Sequence, residues 1–598
     1  MGMLRSAEKA RDTRGTLARL WGYLQRQRWT LVGTVLLVLV TSGLDLLGPY
    51  LMGRAIDVYI GKEPALSLPK GDLAGLARLG GLMIAAYVAA SAGTWLQAYV
   101  MAGVAQRAVR DLRNDLFAKL QTLSLRFFDQ RAHGELMSRL TNDVENISNI
   151  LTTSATQLLA SVVGLAGVVV VMFALDVPLA LVSLAVMPLT YLLTRFIARR
   201  TRQGFREQQQ TLGALNGIIE ETITGQRVVK AYVREQAAIE DFGVVNRRLQ
   251  RAATRANILV GFMGPLMNMV HNLGLAIVAG SGGWLAVQGL ATVGTIATFV
   301  NYAGRLGRPL NQIAQLFNSI QSALAGAERV FEILDEAPET DAPDARALER
   351  IAGDVVLDDV CFGYEEGVPV LKHVSLHAQP GQMTALVGPT GAGKTTIANL
   401  LTRFYDVDSG AIRVDGQDVR AVKRDDLRRK LGLVLQDNFL FADTVMENIR
   451  YGRLDATDEE VIAAARLANA DAFIRRLPQG YQTVLAERGS NLSQGQRQLL
   501  AIARAILADP DILILDEATS NVDTRTEKHL QEALMRLMEG RTSFVIAHRL
   551  STIRDADQVL VVRDGEIIER GTHTSLLAAG GFYHHLYMSQ FKGRAQPD

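Results

Sequence analysis

A chain of 598 residues is too long for one hydrophobic core, so two or more domains are expected. Its 63 Lys and Arg against 61 Asp and Glu leave a formal charge of +2, which supplies no global field for nucleic acid. The single cysteine, Cys361, excludes an internal disulfide and any CxxC metal site, and its apolar, strand-like setting reads as a buried structural thiol.

Residues 1–28 are basic and mixed, with Leu17, Leu20, Trp21 and Leu24 at helical spacing between Arg19, Arg26 and Arg28. They read as an amphipathic helix on a membrane surface or as a solvated helix end. No short apolar core followed by small residues marks a secretory signal.

Residues 29–44 are uncharged, and beyond Asp45 the apolar run resumes to Gly53, long enough to cross hydrocarbon. A second uncharged run covers 79–106. Between 146 and 194 the only charge is Asp176, in a break that ends at Pro178 and makes two spans of the stretch. Residues 256–304 contain no Asp, Glu, Lys or Arg and divide near Gln288, Gly289 and Leu290. Six spans result. Basic residues gather before span one and in the connections 107–139 and 199–251, whereas the other two turns are nearly uncharged. Both ends of this membrane domain therefore face the cytoplasm, with the chain multi-pass in the cytoplasmic membrane.

The two long connections interleave charged and apolar residues at helical spacing, as in Leu112, Leu116, Leu120 and Leu123. They are expected to be membrane helices extended into the cytoplasm, reversing near 127–134 and 224–227. In span six, Asn301, Arg305, Arg308, Gln312, Gln315, Ser319 and Ser322 form one polar stripe, and Asn268, His271 and Asn272 do something similar in span five. Such a stripe avoids lipid. It lines a substrate cavity or makes helix–helix hydrogen bonds.

Two prolines and several acids at 336–344 mark a linker, followed by alternating strand-like and helical runs. The expected domains are 1–28, a helical membrane domain at 29–335, a linker at 336–350 and an α/β domain at 351–598. In the last, Gly388-Pro389-Thr390-Gly391-Ala392-Gly393-Lys394-Thr395-Thr396 lies between an apolar strand and a helical pattern. The glycines let backbone N–H groups wrap a phosphate chain, and the helix N-terminus adds its positive dipole end. Lys394 can reach the outer phosphates, and the Thr395 hydroxyl can ligate Mg²⁺.

Further on, the apolar run 512–515 ends in Asp516 and Glu517. Asp516 at a strand's C-terminal edge can hold Mg²⁺ through water, and Glu517 is placed to orient or deprotonate an attacking water. Between these two motifs, Leu492-Ser493-Gln494-Gly495-Gln496 opens a helix and forms a second anion-seeking end. One nucleotide has one terminal phosphate, already wrapped by its own loop, so this second element needs a nucleotide held by another copy of the domain.

The loop, Gln436, the 492–496 segment, Asp516-Glu517, Ser520-Asn521-Val522-Asp523 and His548 together resemble an ATP-binding-cassette (ABC) domain, and the six-span half in front resembles the exporter branch of that family. The resemblance implies ATP and Mg²⁺ as ligands, with Tyr364 stacking on adenine and Gln436 sensing Mg²⁺ and the membrane domain. It also implies that Ser493 and Gly495 cap the partner's γ-phosphate, that Asp523 crosses the dimer interface and that His548 contacts the γ-phosphate. The two reversals would be coupling helices, one docking on the chain's own ATPase domain and one on its partner's. Gln494 stands where a second signature glycine is common. Residues 265–269, 282–286 and 308–311 look most like the catalytically competent half of bacterial heterodimeric multidrug exporters. The expected function is export of amphipathic drugs or lipids, with an ATP-gated conduit or inward transport of a metal chelate as the alternative. A bacteriocin-processing exporter is disfavoured because 28 residues before span one leave no room for a protease domain.

Overall fold

The computed structural model describes residues 12–60, 73–365, 367–435, 438–516, 524–547 and 550–590. The chain divides into two compact units, one of residues 1–121 and 134–336 and the other of residues 122–133 and 337–598.

The first unit is helical. Helix α1 (Thr13–Leu24) is capped by Asp12, whose side chain accepts from Gly15 N–H at 2.9 Å. It buries Thr16 and Leu20 and leaves Leu17 and Trp21 half exposed, as an amphipathic pattern dictates. Among the described residues six long helices follow: α2 (Arg28–Ala55), α3 (Leu73–Leu120), α5 (His133–Leu175), α6 (Val177–Thr224), α8 (Glu235–Val287) and α9 (Val293–Asp335), with the short α7 (Gln226–Ala231) at the reversal between α6 and α8. At ~1.5 Å per residue the 48 residues of α3 reach roughly 70 Å, more than twice the hydrocarbon thickness, so much of the helix lies outside any bilayer. Among the described residues, four helical stretches are apolar and long enough to cross a membrane: Thr13–Tyr59, Leu73–Leu120, His133–Leu175 and Gly264–Val287. Parts of α6 and α9 carry side chains outside the described set.

The breaks have local causes. At Asp176 the chain turns extended (φ −158°), and its carboxylate accepts from Leu179 N–H at 2.9 Å, capping α6 with Pro178 in its first turn. At the other sharp turn, Gly289 adopts φ +71°, which a side chain would resist, and Thr292 caps α9. Inside the unit, Val168, Met172, Leu179, Val278, Phe299 and Tyr302 form a buried cluster shared by α5, α6, α8 and α9. Lower on the same helices, Arg329 grips the buried Asp143 through Nε and Nη2 at 2.9 and 2.5 Å.

The second unit contains two sheets and the short helix α4 (Leu125–Asp129). Strands β1 (Val355–Phe362), β2 (Leu371–Ala378), β4 (Ser409–Val414) and β5 (Gln417–Asp418) form an antiparallel sheet in the order β2-β1-β4-β5. The larger sheet runs β10-β9-β3-β8-β7-β6, from β3 (Met383–Val387), β6 (Leu431–Val434), β7 (Ile512–Asp516), β8 (Thr542–Ile546), β9 (Gln558–Arg563) and β10 (Glu566–Gly571). Its central strands are parallel and read as continuous apolar runs because helices cover both faces.

Side chains alternate between two cores. Ala385, Val387, Leu513, Leu515 and Val545 enter one, and Leu386, Ile512, Ile514, Phe544 and Ile546 enter the other. Cys361 is half buried rather than fully so, and its Sγ accepts from His373 N–H at 3.3 Å, because β1 lies on the open antiparallel sheet.

Candidate nucleotide site and helix interior

Every residue of β3 is buried, and its neighbours β8 and β9 run parallel to it, so the chain leaves the sheet at the carboxyl edge of a central strand. Residues 388–393 make the turn there. A Cβ on Gly388 would come within 2.1 Å of the Val562 carbonyl oxygen, and one on Gly393 (φ +104°) within 2.6 Å of Leu371 Cδ2. Both positions therefore demand glycine.

Gly393 caps helix Lys394–Leu401, whose first intrahelical bond runs from Ile397 N–H to Gly393 O at 3.1 Å. The Lys394 side chain is buried and folds back into the loop, donating from Nζ to the carbonyls of Gly388 and Pro389, each at 2.8 Å. Burial lowers its affinity for the proton, and the nearby Asp516 carboxylate opposes that effect. Pro389, Thr390, Gly391 and Thr395 lie at the surface, whereas Ala392, Gly393 and Thr396 are buried. A glycine turn with no room for a Cβ at Gly388 or Gly393, a central ammonium and a carboxylate close to it fit a nucleotide triphosphate with Mg²⁺.

Tyr364 Oη lies 3.2 Å from Thr396 Oγ1 and accepts from Asn399 Nδ2 at 3.2 Å. Its ring packs edge-on against Phe362 and Tyr405, at 5.0 and 5.1 Å between centroids. Asn399, Phe362 and Tyr405 escaped the sequence reading. Only the one-turn spacing of Asn399 after Thr395 could have signalled any of them.

Helix Gln494–Ala508 begins at the exposed Ser493, which caps it reciprocally: Gln496 N–H donates to Ser493 Oγ at 3.2 Å, and Ser493 N–H to Gln496 Oε1 at 2.9 Å. Leu492 and Gly495 are buried beneath this exposed end, and Gln494 is half buried. Arg497 donates to the Leu492 carbonyl at 2.9 Å, fixing the turn. Asp516 ends β7, half buried beside β8. Gln436, Glu517, Asp523 and His548 lie outside the described residues.

In the first unit, Asn268, His271 and Asn272 are exposed on the single chain. Asn301 donates to the Ala297 carbonyl at 3.2 Å and faces Met52 Sδ at 3.8 Å. Gln312 accepts from Ser161 Oγ at 3.2 Å, and Arg305 donates to the Asp45 carbonyl at 3.1 Å. Three members of the polar stripe thus bond within α9 or to α2 and α5. The Arg308 side chain lies outside the described set.

Residues 31–310 match the ABC transporter transmembrane region, and residues 371–520 match the ABC transporter family. An uncharacterized ABC transporter ATP-binding protein of Bacillus subtilis, YfiC, is 47% identical across 98% of this chain and 96% of its own. The chain belongs to the ABC transporter family. A fatty acid ABC transporter ATP-binding/permease protein of Mycobacterium bovis is 40% identical across 97% of both chains. Among solved structures, a bacterial Atm1-family ABC exporter with ATP bound superposes with a TM-score of 0.74, 32% identity and coverage of 95% of this chain and 99% of the other. This ABC transporter is an exporter-type half-transporter, an integral membrane protein whose ATPase domain couples ATP hydrolysis to transport.

Proposed function

We propose that this half-transporter exports amphipathic compounds, drugs or lipid-like molecules, across the cytoplasmic membrane from a two-chain assembly, with both termini cytoplasmic. The partner is a second half-transporter, and a non-identical one is slightly favoured over a second copy.

One observation carries the two-chain reading. Helix Lys394–Leu401 packs into the core entered by Leu386, Ile514 and Ile546, whereas helix Gln494–Ala508 packs into the one entered by Ala385, Leu513 and Val545. The helices that follow the phosphate loop and the signature segment of one chain therefore belong to opposite faces of the same sheet, which supports a separate nucleotide for each. A signature from the partner chain completes each site. A further support is an open groove of about 500 Å³ at the second reversal, lined by Ile219, Ile223, Val229, Ile239 and Phe242, an apolar surface left uncovered on the single chain.

In this reading Lys394 and the loop N–H groups hold the β- and γ-phosphates, Tyr364 stacks on adenine, and Ser493 and Gly495 cap the γ-phosphate of the nucleotide held by the partner. Thr395, Gln436 and Asp516 would hold Mg²⁺, which neutralises phosphate charge when bound. Glu517 takes the proton of the attacking water, and His548 contacts the γ-phosphate. Contacts made only on closure let ATP bind the closed state better, and this difference in affinity turns the cavity outward. The relative named as a fatty acid transporter supports an amphipathic cargo. The polar stripe of α9, with Asn268, His271 and Asn272 of α8, is where its head group would be met.

Paired variants test the arrangement in the homodimer case. With Lys394→Ala in one chain and Ser493→Ala in the other, one composite site stays intact and ATPase activity persists. Placing both changes in the same chain damages both sites. Equal activity in the two arrangements would overturn the shared-site reading.

A further inference from the structure

A chain of aromatic contacts within the second unit runs from the phosphate-loop helix to the first cytoplasmic reversal. Tyr364 Oη stands against Thr396, and its ring meets Tyr405 almost perpendicularly, at 89° and 5.1 Å. Phe362 braces both rings, at 5.0 and 5.4 Å. Tyr405 is only 6% exposed, and its hydroxyl donates to the Asp129 carboxylate at the end of α4. Arg126, on the same short helix, sits 5.9 Å over the Tyr405 ring. The other end of the reversal is also held: Glu339 N–H donates to the Thr122 carbonyl at 2.7 Å, while the Glu339 carboxylate takes Arg428 at 2.9 and 3.2 Å.

We propose that Tyr405 is a positioning residue that sets Tyr364 through its ring and the first reversal through its hydroxyl, so that occupancy of the base site is felt at residues 122–133. The proposal rests on the base-contact reading of Tyr364 above. Physically, a buried ring in an edge-to-face array cannot absorb a neighbour's shift by rotating away, because close-packed interiors transmit displacement. The bond from hydroxyl to carboxylate is charge-assisted and directional, which makes Asp129 follow the ring. Burial, and then Asp129, hold the Tyr405 phenol well above its usual range, so it remains a donor at any physiological pH.

The test uses the full chain, with its partner where it requires one, in lipid nanodiscs. Two quantities are read: KM for ATP, and hydrogen–deuterium exchange of residues 122–133 with and without Mg²⁺ and a non-hydrolysable ATP analogue. In the wild type the analogue should slow exchange there several-fold. Tyr405→Phe keeps the ring and deletes the hydroxyl. It should leave KM within about twofold and abolish the slowing, and Asp129→Ala should do the same. Tyr405→Leu, which removes the edge partner of Tyr364, should also raise KM about three- to tenfold. Undiminished slowing in Tyr405→Phe, or no slowing in the wild type, overturns the hydroxyl half. An unchanged KM in Tyr405→Leu overturns the ring half. Tyr364→Ala with unchanged KM would instead remove the base-contact reading, which the exchange of Tyr405→Phe does not depend on.

Discussion

Arg305 on α9 donates from Nη1 to the Asp45 carbonyl of α2 at 3.1 Å, and the reason that carbonyl is available lies four residues along, at Pro49. A proline inside a helix has no N–H for the carbonyl one turn back. Arg305 takes the place of that missing donor, while the next carbonyl, Leu46, accepts from Tyr302 Oη at 2.6 Å and Pro49 O from Thr298 Oγ1 at 3.2 Å.

Arg305→Ala should therefore cost about 1 kcal/mol of stability, the net worth of one hydrogen bond to a carbonyl that Pro49 cannot serve. Pro49→Ala, which restores the N–H, should recover most of that loss when combined with it. Thermal unfolding in nanodiscs of the two single variants and the double variant reads the coupling. A head-group contact makes a different prediction, because transport lost in Arg305→Ala would then stay lost in the double variant whatever its stability.

The site's phosphate half was legible and its surroundings were not, for a physical reason. The loop at 388–396 is a local device, in which glycine positions and a lysine are fixed by a turn a few residues long. The polar stripe of α9 was likewise visible as a helix face, since 3.6-residue periodicity is written in the sequence. Its partners were not, because Ser161, Asp45 and Met52 lie 151 to 260 residues away in the chain. The same holds for Tyr405 and Asp129, 276 residues apart. Nor does composition announce the turns at Arg139–Asp143 and Ile150–Ser154, where α5 widens to π-helical bonding.

Lys394 and Glu517 should fail in different ways. Truncating the buried ammonium at the centre of the loop, Lys394→Ala, should weaken ATP binding about 100-fold, the effect of roughly 3 kcal/mol from one desolvated charge contact. Fluorescent-nucleotide titration reads this directly, and unchanged affinity would undo the phosphate-loop assignment. Glu517→Gln should bind ATP as tightly as the wild type and lose about 10²–10⁴ in turnover, the contribution of a positioned general base. The closed state should accumulate in that variant. Normal turnover there, in a homodimer with no second competent site, would sink Glu517 as the base.

The C-terminal helices carry a pH dependence of their own. His573 is 9% exposed, its Nδ1 lies 2.6 Å from Tyr583 Oη, and its ring packs on Tyr587 at 5.4 Å. Burial, and secondarily the Arg554 charge, push its pKa below the ordinary value. The neighbouring Tyr583 phenol is pushed up to about 12 by burial, so it stays protonated and takes no part in the titration. The folded protein thus keeps His573 neutral where the unfolded chain, titrating near ~6.5, already binds a proton. The unfolded state then holds more protons, so stability rises with pH through that window and falls as the medium is acidified from about 6.5 toward the lowered folded value. One proton sets a ceiling of about 1.4 kcal/mol per pH unit on the slope. His573→Gln, which keeps a polar side chain beside Tyr583 and cannot take up the proton, should show a shallower loss of thermal midpoint between pH 7.5 and 5.5 than the wild type. Carboxylates titrating lower contribute equally to both proteins and cancel in the comparison. Identical slopes would mean that His573 takes up its proton as readily folded as unfolded.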